Sequence, residues 1–372
     1  MRVVMFCHSL LSDWNHGNAH FLRGICTELL ADGHDLRVFE PVDAWSLQNL
    51  IAGHGNEALA EFGRAYPQLS STRYDVSTID IDEALHGADL VLVHEWNEPS
   101  LVQRIGEHRK RNTRYTLLFH DTHHRSVTDP AAMSRYDLSG YDGVLAFGAS
   151  VAAVYERHGW GSRAWVWHEA ADTRVFRPLT AEKEGDFVWI GNWGDDERTA
   201  ELQEFLIDPI ADLGLTACIY GVRYPAEAQA RLAGARIEYA GWTPNFKAPE
   251  IFARYKLTAH VPRRPYATAL PGVPTIRIFE ALACGIPLIS APWSDSENLF
   301  TPGKDFLFAS DGADMKQKMH NLLREPIQAA ELARHGRETI LRRHTCAHRV
   351  KELYGILEEV GSPATTMAGG MN

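Results

Sequence analysis

The sequence predicts an α/β protein built as two doubly wound, Rossmann-like lobes that face each other across a cleft. Three observations predict it. The chain has 372 residues, long for one domain and suited to two of about 180 each. Short apolar runs alternate with segments of helical period, the pattern of parallel strand–helix–strand units. Those runs end one after another in polar or small residues, and open α/β sheets bind ligands at the carboxyl ends of their strands.

Composition narrows the function classes. A hydrophobic content of 45% with 10% aromatics supports sizeable cores and excludes a disordered chain. The net charge of −11 argues against a general nucleic-acid or membrane-surface binder. Cys7, Cys26, Cys218, Cys284 and Cys346 lack close spacing, which fits a reducing cytosol better than a disulfide framework. Met1–Phe6 is too short an apolar run for a signal peptide, and no run is long enough to span a bilayer. The expectation is a soluble cytoplasmic protein.

In the first lobe, expected at 1–170, Arg2–Phe6 reads as a buried strand, Phe21–Leu30 as a helix and Asp35–Phe39 as the returning strand. The polar loop Cys7–His20 between the first two lacks the G-x-G-x-x-G of a dinucleotide site. Trp45–Tyr74 is mixed and helical in character, an insertion on the acceptor side. Strands resume at Asp89–His94, Arg114–Phe119 and Gly143–Phe147. The stretch His120–His124 (HDTHH) is the chemically densest of this half. It follows a strand and lacks the H-E-x-x-H helical spacing of a metal site, so no metal is expected. Imidazole titrates near neutrality, which makes His120 and Asp121 the candidate catalytic pair, with Glu95 at the neighbouring strand end as a weaker base.

The second lobe is expected at 171–345. It opens on the strand Phe187–Ile190, whose glycine turn Gly191–Asn192–Trp193–Gly194 lets backbone approach a ligand, with Arg198 as a forked phosphate donor. Further strands are expected at Thr216–Tyr220, Arg236–Tyr239 and Lys256–His260, followed by Arg263 and Arg264 as a diphosphate clamp. The central stretch is Pro271–Ser290. Thr275 is placed to cap a helix whose apolar stripe is Ile276, Phe279, Leu282 and Ala283, and Gly285 stops it. Arg277 and Glu280 share one face near its N-terminus, where free N–H groups favour an anion. The helix end would hold phosphates while Glu280 accepts sugar hydroxyls; the other reading is a core helix with an internal ion pair. Glu331–Arg343 and Ala347–Leu357 are expected helices, and 361–372 a disordered tail.

Arg277–Gly285 (RIFEALACG) resembles the donor-binding helix of "group 1" glycosyltransferases of the GT-B fold. With His344–Leu353 (HTCAHRVKEL) it is closer to the spore-maturation-protein-like branch. The resemblance covers most of the chain and is strongest from Phe187 onward. It implies a nucleotide diphosphate sugar as co-substrate and a hydroxyl acceptor of unknown class, with no cofactor. His120 matches a histidine that touches the donor sugar. The first-lobe loop with Gly17, Asn18 and His20 matches the one over acceptor and sugar. Gly241–Asn245 matches the loop around the base, where Trp242 would pack on the ring. Residues 168–178 look like the interlobe crossing, and 346–360 like the final helix that braces the first lobe. One departure stands out. The retaining pattern carries two glutamates with seven residues between them, and where the first would fall this sequence has Gly272.

The expected reaction is therefore glycosyl transfer with the nucleoside diphosphate leaving and no metal required, because arginines and the Thr275–Arg277 helix end take up the growing charge. A sugar-nucleotide epimerase or hydrolase on the same frame, and a non-catalytic subunit, are the alternatives.

Overall fold

A computed structural model describes residues 1–361. The expected tail lies outside the described residues except for Gly361, which ends the last helix. The first sheet is all parallel: β1 (Arg2–Phe6), β2 (Asp35–Pro41), β3 (Thr72–Tyr74), β4 (Leu90–His94), β5 (Thr116–Asp121), β6 (Gly143–Ala146) and β7 (Ala164–Val166), in the order 3-2-1-4-5-6-7. The second comprises β8 (Gly185–Ile190), β9 (Ala217–Tyr220), β10 (Glu238–Gly241), β11 (Tyr255–His260), β12 (Leu288–Ser290) and β13 (Leu307–Phe308), in the order 10-9-8-11-12-13. Each sheet reverses its winding once, between β1 and β4 and between β8 and β11. Ligands bind at such switch points, beyond the strand ends.

The strands form because their residues are apolar on both faces. Val3–Phe6 and Leu90–Val93 are buried throughout, as parallel strands covered by helices on both sides must be. Two local expectations shift. The strand expected over 114–119 runs over Thr116–Asp121, pairing His120 with Leu145 and Asp121 with Ala146, so both polar residues belong to the ladder rather than to a loop. Residues 45–74 form two helices, Trp45–His54 and Glu57–Ala65, but end in the edge strand β3. That strand is three residues long and mostly exposed, too short to leave a periodic signal.

The last helix, Cys346–Gly361, lies against the helix Ala19–Ala31 of the first lobe. Trp167 Nε1 donates to the Arg349 carbonyl at 2.8 Å, and Tyr354 donates to Asp32 at 2.8 Å. Among the described residues no helix is long and apolar enough to cross a membrane. Close approach of the two helices depends on Gly24, where a Cβ would meet the Cys346 side chain and come within 2.9 Å of Asp172 Cβ. Gly24→Ala is expected to cost about 1–3 kcal/mol through overpacking, read as a lower urea midpoint with an unchanged slope.

Candidate active site

Between the two switch points lies a cleft of ≈ 620 Å³, within the size range of small-molecule sites. The first lobe contributes Trp14, Asn15, His16, Gly17 and Asn18 after β1, with Trp45, Trp96, His123 and His124. The second contributes Gly191, Asn192, Arg198, Arg223, Arg263, Thr275 and Arg277. The lobes are in contact. Asn192 donates to Asn15 at 2.7 Å, Arg23 to Asn245 at 2.7 Å, and Trp242 Nε1 to Asp13 at 3.1 Å. Trp242 is thereby docked on the first lobe, its ring 4.3 Å from that of His54, and it lines a narrow side recess rather than the main cleft.

The helix Ile276–Cys284 points its N-terminus into the cleft, but two of its residues act otherwise than expected. Thr275 gives no side-chain cap. Its hydroxyl meets His260 Nε2 at 3.0 Å, which leaves the first-turn amides uncapped by it. Glu280 is fully buried and absent from the cleft wall. One of its oxygens is 2.9 Å from His20 Nδ1, and the other is bonded to Arg277. The Asp172 N–H donates to His20 Nε2 at 2.7 Å, so the proton sits on Nδ1 and is given to Glu280. Burial alone would raise the Glu280 carboxyl, yet Arg277 and His20 outweigh it and hold the group below its usual range. Glu280 and His20 thus couple the lobes and are out of reach of a sugar hydroxyl.

The arginines divide. Arg263 borders the cleft and bonds Glu197 at 3.0 Å, while Glu197 lies 3.4 Å from His124 across the lobes. Arg277 borders it too. Arg198 spends its fork on the carbonyls of Asn192, Trp193 and Val261, and its desolvation lowers it to about 9. It holds the glycine turn in place as much as it offers charge. Arg264 faces solvent, paired with Glu201 at 3.0 Å, because it begins a short helix that turns it outward. It leaves no clamp with Arg263.

His120, Asp121 and Glu95 do not reach the cleft. His120 sits among Trp167, Phe21 and His94 with Nε2 unpartnered, and burial lowers it to about 3. Asp121 is buried and accepts from Tyr155 at 2.8 Å. Glu95 is buried against Arg125 at 3.0 Å. β5 carries His120 and Asp121 into the lobe and the turn after β4 buries Glu95, which keeps all three from the cleft wall. Their motif still reaches the site through its next members, His123 and His124. Glu169, in the interlobe crossing, is a further cleft residue that the sequence reading left out. A lone glutamate there carries no local signal, whereas the adjacency of His123 and His124 to the singled-out pair did. The tryptophan wall was also missed, since Trp14, Trp45 and Trp96 come from three separate segments.

Two outcomes follow from this burial. Glu280→Ala strands His20 and Arg277 without their anion and is expected to cost about 3–5 kcal/mol, measured by urea unfolding. His120 and His260 both have folded values near about 3 against an ordinary 6.5. The unfolded chain therefore binds more protons between those values, and stability, complete above 6.5, falls as pH drops. Each contributes about 1.4 kcal/mol per pH unit in that window. His120→Leu is expected to flatten the dependence of the urea midpoint between pH 6 and pH 4.

Residues 198–355 match the family model described as "Glycosyl transferase-like". No curated protein matches the sequence. The fold is similar to Anabaena HepE solved in complex with UDP-glucose, at 13% identity and a TM-score of 0.66, over 96% of this chain and 100% of that one. It is similar to sucrose-phosphate synthase from Thermosynechococcus elongatus at 15% identity and a TM-score of 0.64, with 96% and 100% covered. An alpha-glucosyltransferase in complex with UDP and a 13-mer DNA aligns at 11% identity and a TM-score of 0.65, with 96% and 99% covered. The chain has the GT-B fold of glycosyltransferases, and its second lobe carries a glycosyl transferase-like segment.

Proposed function

We propose that the protein is a glycosyltransferase that moves a sugar from a nucleotide diphosphate sugar, with UDP as the nucleotide, to a hydroxyl of an acceptor held on the first lobe. The observation that carries this reading is the asymmetry of the cleft. Every arginine that lines it, Arg198, Arg223, Arg263 and Arg277, stands on the second lobe. That wall suits a diphosphate. The first-lobe wall is built from tryptophans, histidines and asparagines and, among the described residues, has no lysine or arginine. It suits a neutral acceptor; a nucleic acid would call for stacking rings within a cationic groove.

As the sugar–phosphate bond breaks, negative charge grows on the departing diphosphate. Arg263 and Arg277 retain donors beyond their pairs with Glu197 and Glu280, so they stabilise that charge without a metal ion. His123 lies on the opposite wall, and burial, reinforced by His124 and Arg263, keeps it well below the ordinary imidazole value. A neutral imidazole there offers a hydrogen-bond acceptor to the incoming hydroxyl. Closing of the lobes over a bound donor would exclude water and limit its hydrolysis. The five cysteines are free and buried, which suits work in a reducing cytosol. On the motif at His344–Leu353 we place the chain in the spore-maturation-protein-like branch.

Thermal-shift screening against UDP-, GDP- and dTDP-sugars tests the donor, because a ligand of the native state alone raises its melting temperature. A rise with UDP-glucose and none with glucose is expected. Arg263→Ala is expected to lower kcat about a hundredfold while the fold, followed by circular dichroism, is retained. Equal kcat in the variant removes Arg263 from the transition state.

A further inference from the structure

Gly272 stands where the resembled family carries a sugar-contacting glutamate, and the fold closes that position to any side chain. Its φ is +87°, and an ideal Cβ there would lie 2.7 Å from Glu297 Cγ. The cleft nevertheless contains two carboxyls, Glu169 and Glu197. Glu197 is committed to Arg263 and His124. Glu169 is 3% exposed, lines the cleft, and has an Oε1 with no hydrogen-bond partner. It stands beside the first turn of the helix Ile276–Cys284, with the Ile276 N–H directed at its carboxyl. A buried acceptor left unmatched costs free energy, so a ligand group that reaches it recovers that cost.

We infer that Glu169 binds a hydroxyl of the donor's sugar ring, in place of the carboxylate that Gly272 cannot supply. The inference rests on the nucleotide-sugar reading above. Burial, and then the nearby Glu280, push the Glu169 carboxyl well above the usual range, against the opposing pull of Arg277 and the Ile276 N–H. The acid form both donates and accepts, which matches a hydroxyl, and it sets no negative charge against the diphosphate. Its two neighbours fix it from either side: His168 is held 3.0 Å from Glu297 and 2.9 Å from the Phe147 carbonyl, and Ala170 is fully buried.

The test is calorimetric titration of the full chain with UDP and with UDP-glucose, or with the matched nucleotide and sugar selected by the screen. Glu169→Ala is expected to bind the nucleotide sugar about tenfold more weakly, the effect of one lost hydrogen bond, with affinity for the nucleotide unchanged. Glu169→Gln keeps a donor and an acceptor and is expected to recover the nucleotide-sugar affinity that Glu169→Ala loses. Unchanged nucleotide-sugar affinity in Glu169→Ala overturns the inference. Parallel loss of nucleotide and nucleotide sugar also overturns it, as the mark of a phosphate or packing role. So does a Glu169→Gln variant that keeps both affinities and loses turnover, which would assign proton transfer instead. A wild-type protein that binds no nucleotide sugar fails the underlying reading, a result distinct from these.

Discussion

The cleft depends on one buried carboxylate. Glu280 takes a proton-bearing nitrogen of His20 from the first lobe and the guanidinium of Arg277 from its own helix, and both Glu280 and His20 are shut off from water. An anion so placed is tolerated only while both partners remain, since desolvation otherwise outweighs any single contact. The His20 ring is also stacked on Phe176 of the interlobe crossing, 3.8 Å between centroids. The helix Ile276–Cys284, the first-lobe helix Ala19–Ala31 and the crossing are thereby fixed against one another. The direction in which the helix N-terminus faces is a consequence of that three-way contact.

The charge of the molecule is arranged against its own average. The chain is acidic overall, at −11, yet the second-lobe wall of the cleft carries four arginines. Glu197 tempers them. His124, 3.4 Å away, has the largest effect and Arg263 follows, so its carboxyl falls to about 2 in spite of partial burial. The same carboxylate therefore neutralises a cation of the second lobe and faces a histidine of the first. On the proposed reading, a diphosphate entering the cleft competes with Glu197 for Arg263.

Much of the architecture was legible because it is periodic. Buried runs such as Leu90–Val93 and the stripe Ile276, Phe279 and Leu282 announce a parallel strand and a packed helix through spacing alone. The site was legible only in part. Gly17, Asn18, Gly191, Asn192, Arg263, Thr275 and Arg277 reach the cleft because loops at strand ends must lie there. His120 and Asp121 do not, since β5 continues two residues past its apolar run and carries both side chains into the interior of the lobe. The tie between Glu280 and His20 spans 260 positions, and no local pattern encodes it. Glu169 is equally silent, because its burial depends on the lobes being docked.

The absence of a side chain at Gly272 and the placement of Glu169 belong to the same packing. With no side chain at 272, the Glu297 carboxylate fills the space against Gly272 and Gly148, where it accepts from the Ala149 N–H at 2.9 Å and meets His168 at 3.0 Å. His168 precedes Glu169, so the interaction that occupies the vacated position also orients the chain that carries the buried acid. A glutamate at 272 would displace Glu297, free His168 and loosen the crossing, all at a backbone angle that a side chain rarely adopts. The glycine is in this way a condition for the placement of Glu169, since the two carboxyl positions exclude each other through Glu297.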